Sequence, residues 1–170
     1  MKTLEVRKNT ISAHLIAKYF LWKASQEGKT LTNKKLQKLL YYAQAWNLAI
    51  EDNPLFTEKI EAWIHGPAIR SIWEQYKVFG FGSITEAVDS GVKDDVKNNK
   101  IIDEVWRVYG KYDADYLEEL THNELPWQEA RGDIESKTIS DNEISLETMK
   151  TYYRKRLTDA RKEEAKKIDL

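Results

Sequence analysis

Residues 34–50, KKLQKLLYYAQAWNLAI, are too apolar for a surface helix and carry Tyr41, Tyr42 and Trp46. Thr32 or Asn33 stands where an N-cap belongs, and Asp52, Asn53 and Pro54 end the run. Leu36, Leu39, Leu40, Ala43, Trp46 and Ile50 recur at helical spacing, and apolar residues spill onto the other faces. A helix of this kind must be covered on several sides, so the rest of the chain has to supply that cover. The fold is expected to be built around it.

The remaining pattern is mostly helical. Thr10 is the expected cap of a first helix carrying Ile11, Leu15, Ile16, Tyr19, Phe20 and Trp22, with Gly28 just past its end. Residues 57–64 alternate in the manner of a short strand. His65-Gly66-Pro67 then makes a rigid turn, and Ile69, Ile72, Trp73 and Tyr76 predict a helix after it. Residues 84–100 read as loop or weak helix start, before a clear stripe from Ile101 to Tyr112. Asp113 caps a further helix, Pro126 suits a first helical position and Gly132 an end. Either a capping box at Ser140–Glu143 or a cap at Ser145 starts the last helix, which tapers into a charged tail. The fold class is mainly α: a single compact helical domain with at most a small β-hairpin or short strands. The expected bounds are 1–157 for the domain and 158–170 for the tail.

Composition narrows function by exclusion. At 170 residues the chain fits one domain. It has no cysteine, which removes disulfides and thiolate metal sites. The N-terminus has no apolar core of signal-peptide length, and no apolar run reaches the ~20 residues of a membrane span. A cytoplasmic location is expected. Net charge is −1, yet residues 1–50 hold nine basic and two acidic side chains, whereas 101–148 hold four and thirteen. Such blocks either solvate and pair helix faces or make a dipolar surface that steers a partner.

Catalytic and metal chemistry finds little support. The three histidines, His14, His65 and His122, form no His-Glu-x-x-His pair or similar ligand spacing. Glu118, Glu119 and Glu124 lie close in sequence, but neighbouring glutamates on a helix point apart. No nucleophile elbow, phosphate loop or dinucleotide fingerprint is present. The chain is expected to be no enzyme and to need no cofactor or metal. Lys34, Lys35 and Lys38 at the start of the long helix are compatible with the second helix of a helix-turn-helix. Against that, the helix turns almost wholly apolar after Lys38 and the chain is not basic.

Three runs together carry a resemblance: KLQKLLYYAQAW at 35–46, PLFTEKIEAWIHGP at 54–67 and YGKYDADYLEELTHNELPWQEAR at 109–131, with Tyr152-Tyr153 later. In this order they resemble the Panacea domain family, which includes SocA-like antitoxins and GepA-like proteins of phages and mobile elements. The resemblance covers about 32–153, and His65 departs from it where the family often has Tyr or another aromatic. It implies an antitoxin that neutralises a cognate toxin, encoded nearby, by direct protein–protein binding. In the SocA-like case the antitoxin also delivers the toxin to an ATP-dependent protease. The alternative is a DNA-binding autoregulator of its own operon.

By the same resemblance, Leu36, Leu39, Leu40, Tyr42, Trp46, Trp63, Gly66, Pro67 and Pro126 are motif positions with structural roles. Some of Lys38, His65, His122, Trp127 and Arg131 are expected to border the partner surface; the alternative for Arg131 is an internal pair with a carboxylate such as Glu124 that merely joins two elements.

Overall fold

The computed structural model describes residues 9–97 and 99–168. The first eight residues, on which the expectation of no signal-peptide core partly rests, lie outside that range, as do Asn98 and residues 169–170 of the expected tail. Among the described residues are eight α-helices and one two-stranded antiparallel hairpin that does not close into a barrel. In chain order these are α1 (Ala13–Gln26), α2 (Asn33–Glu51), β1 (Glu61–Trp63), β2 (Gly66–Ala68), α3 (Arg70–Tyr76), α4 (Val92–Asp95), α5 (Lys100–Tyr109), α6 (Ala114–His122), α7 (Leu125–Arg131) and α8 (Leu146–Ile168).

α2 is the axis of the fold. The Thr32 side chain accepts from the Lys35 amide at its start, and Asp52 closes it in the left-handed conformation with φ 60°. Fourteen of its 19 residues are buried. Cover comes from α8, α5, α6, α1, α3 and the hairpin. Buried polar groups on α2 are answered by backbone nearby. The Gln44 amide donates to Phe56 O at 2.9 Å, and its oxygen accepts from Leu55 N at 2.8 Å. Such pairing removes the cost of burying an amide.

One expected start moves and one open choice resolves. α1 is capped by Ser12, not Thr10: its side chain accepts from the His14 amide. Ile11 N donates to Leu55 O at 2.8 Å, which ties that residue to the loop after α2 and delays the helix. At the other end, Ser145 accepts from Thr148 N at 3.2 Å and begins α8. The Ser140–Glu143 box does not form, because this stretch is drawn onto the hairpin. Ala62 N donates to Asn142 O and Ile144 N to Ile60 O, each at 2.8 Å, so the segment flanks β1.

β1 falls within the predicted strand 57–64, and Trp63 lies opposite Gly66 across a turn at Ile64-His65 rather than at His65-Gly66-Pro67. Gly66 and Pro67 belong to β2, and the predicted helix follows three residues later. α8 continues through the expected tail as far as Ile168, exposed from residue 158 onward. No helix among the described residues is long and apolar enough to cross a membrane.

Candidate functional site

The hairpin turn, the N-terminal half of α2 and the start of α6 enclose a trough of about 500 Å³. Lys38 forms its floor. The side chain is 2% exposed, and its Nζ donates to Pro67 O at 3.0 Å. Burial pushes its pKa from 10.5 down to about 7, with Glu118 opposing that shift and Lys34 adding to it. Burial therefore favours the neutral amine over the ammonium here.

Gly66 is dictated here by both conformation and space. Its φ is 98°, and a Cβ would lie 2.6 Å from Lys38 Cε and 2.9 Å from Thr121 Oγ1. Only glycine lets the backbone pass over the lysine.

Glu118 on α6 gathers the remaining charges. Lys34 reaches it directly and also contacts Asp115 at 2.7 Å, while His65 Nδ1 lies 3.1 Å from its Oε1. Lys34 and His65 hold the Glu118 carboxyl below its ordinary range, although burial pulls the other way. A second hollow of about 470 Å³ adjoins the trough through Lys34, His65 and Asp115 and extends to His122. The His122 ring stacks on Trp127 with centroids 4.1 Å apart. Burial lowers its pKa despite the proximity of Glu118, and its Nε2 is buried without a hydrogen-bond partner.

The lip of the trough is aromatic. Trp73 lies edge-on to Trp63, with centroids 5.8 Å apart, and Arg70 sits over the Trp63 ring. Phe81 is 98% exposed. Its loop is not loose: Ile84 N donates to Leu31 O at 2.8 Å, and Ser83 Oγ meets Thr30 Oγ1 at 2.8 Å.

Of the five expected partner-facing residues, His65 has a largely exposed side chain, His122 is half-buried, and Lys38 is the trough floor. Trp127 and Arg131 are buried behind the hairpin. Trp127 Nε1 donates to Trp63 O at 2.9 Å. Arg131 does not pair with Glu124. Its guanidinium donates to Ala62 O at 3.1 Å, Glu135 O at 2.8 Å and Thr138 O at 2.6 Å, stapling β1 to the loop after α7. The Glu124 carboxylate is instead taken up by tyrosine hydroxyls in the core.

There Glu124 meets groups that the sequence reading did not connect. Tyr41 and Tyr42 each donate to it at 3.1 Å, Tyr153 donates as well, and Arg156 lies 3.4 Å away. Burial raises the Glu124 pKa, and the tyrosine hydroxyls and Arg156 counter it. Three tyrosines at core positions were the available signal, since each buried hydroxyl needs a partner.

The lysines that suggested a helix-turn-helix are all engaged within the fold, Lys35 through Gly110 O at 2.6 Å. Among the described residues no group of three or more His, Cys, Asp or Glu could hold a metal ion. No curated protein and no solved structure matches the chain. Residues 36–128, which include most of α2, the hairpin, Glu118, His122, Glu124 and Trp127, match the family model described as antitoxin SocA-like, Panacea domain, and the chain belongs to that family.

Proposed function

We propose that this protein is an antitoxin that silences a cognate toxin by direct contact through the trough and its aromatic lip. Phe81 carries the reading. A fully exposed phenylalanine on a loop tied down at Thr30, Leu31 and Ser83 loses little further entropy on binding, as suits an interface anchor. Trp73 and His65 extend the contact around Lys38, whose remaining N–H donors suit a polar group of the partner. In this reading Trp127 and Arg131 brace the hairpin that presents His65.

The test is co-expression with the product of the adjacent gene, read by pull-down and by growth rescue. Phe81→Asp and His65→Ala lie on exposed side chains and should leave the fold intact while abolishing or strongly weakening rescue. Absence of both complex and rescue for the unaltered chain would sink the antitoxin reading; rescue that survives both substitutions would sink the surface. Following toxin lifetime in the same cells separates simple blocking, which leaves it unchanged, from delivery to an ATP-dependent protease, which shortens it.

A further inference from the structure

The last three turns of α8 are exposed from residue 158 to 168, whereas Leu157 is half-buried at the edge of an apolar groove of about 440 Å³. Trp46, Ile50, Ile101, Val105 and Val108 make up most of the groove wall. Ile50, 48% exposed, and Ile168, 83% exposed, are apolar side chains left open on this side.

At 100° per residue, Leu157, Ala160, Arg161, Glu164, Ala165, Lys167 and Ile168 fall within about 80° of Leu157 around the helix, and all of them except Lys167 pair off about one midpoint. This face is self-complementary when reversed. Leu157 and Ile168 lie equally far from the midpoint between Lys162 and Glu163, and so do Arg161 and Glu164, and Ala160 and Ala165. An antiparallel copy would set Leu157 against isoleucine, arginine against glutamate and alanine against alanine. The spacing of four, three and four residues from Leu157 to Ile168 is that of an antiparallel helix seam, and the alanines beside it permit close approach.

We propose that a second copy of this chain docks antiparallel along this face about a twofold axis between residues 162 and 163, the partner's Ile168 entering the groove beside Leu157. The contact is isologous, so it closes at two copies. Helix against helix over 12 residues, roughly 18 Å, is too short to hold two chains by itself. Two grooves, each filled by the other copy's isoleucine, supply the additional apolar burial. Charge complementarity singles out a copy over an unrelated helix: the Arg161–Glu164 order reads the same from either partner.

Sedimentation equilibrium on the full chain across a concentration series tests this, with far-UV circular dichroism to verify the helix. The unaltered chain should self-associate to a dimer. Arg161→Glu and Glu164→Arg should each weaken association at least about tenfold by opposing like charges, and combining both exchanges should restore it. Ile168→Asp should weaken it to a similar degree. A chain that stays monomeric up to millimolar concentration overturns the proposal. Association that ignores the single exchanges, or that the combined exchange fails to restore, overturns the register; association that ignores Ile168→Asp overturns the groove.

Discussion

Lys38 is a basic side chain enclosed in the fold. Its ammonium is enclosed with one carbonyl partner, Pro67 O, and its pKa falls to about 7 because burial disfavours the charge. Between that value and 10.5 the unfolded chain holds a proton that the folded chain has released, so stability rises with pH across this window. Below pH 7 the proton is bound in both states and the cost of the buried charge is carried in full. Urea unfolding of the protein and of Lys38→Met from pH 6.5 to 9.5 should expose this. Relative to the variant, the parent should gain stability by up to about 1.4 kcal/mol per pH unit above 7. Parallel curves would mean that Lys38 keeps its proton when folded.

Among the elements, the hairpin shows both what was legible and what was not. Its strand alternation, the caps at Thr32 and Asp113 and the Pro126–Gly132 limits of α7 could be read from the chain, because each depends on residues within one turn. The α1 start shifted because distant backbone at Leu55 captured Ile11, and the choice of Ser145 over the Ser140–Glu143 box was decided by backbone on and beside β1. The site divided the same way. His65 and Gly66 stood out by turn chemistry. The exposed Phe81 was visible only as a loop residue, and the destination of Arg131 depended on a carbonyl brought from 69 residues away. That staple is the element's weak point. Arg131→Lys replaces a planar fork by a single ammonium that cannot span β1 and the 135–138 loop together. It should cost about 2 kcal/mol and accelerate hydrogen exchange in 132–140; unchanged exchange there would show that the loop holds itself.

At the scale of the molecule, the Glu124 cluster joins α2, α7 and α8. Tyr42 also stacks on Tyr109 of α5, with ring centroids 3.9 Å apart, so a fourth helix packs against the cluster. Glu124→Gln keeps the volume but offers one acceptor oxygen to three hydroxyl donors, and adds an amide that needs a partner of its own. The urea midpoint should fall by the equivalent of about 2–4 kcal/mol, with the cooperativity of unfolding retained. A change below about 0.5 kcal/mol, the scale of ordinary surface substitutions, would show that the cluster is not where the molecule is held.

The same arrangement has a consequence in time. Arg154 on α8 hydrogen-bonds Ala49 O across 105 residues of chain, and α8 supplies the tyrosine that completes the Glu124 cluster. A ribosome makes α2 long before the helix that shields it. Throughout that interval Tyr41, Tyr42 and their apolar neighbours stand uncovered on the nascent chain, a surface open to chaperones and to premature association until the last helix arrives.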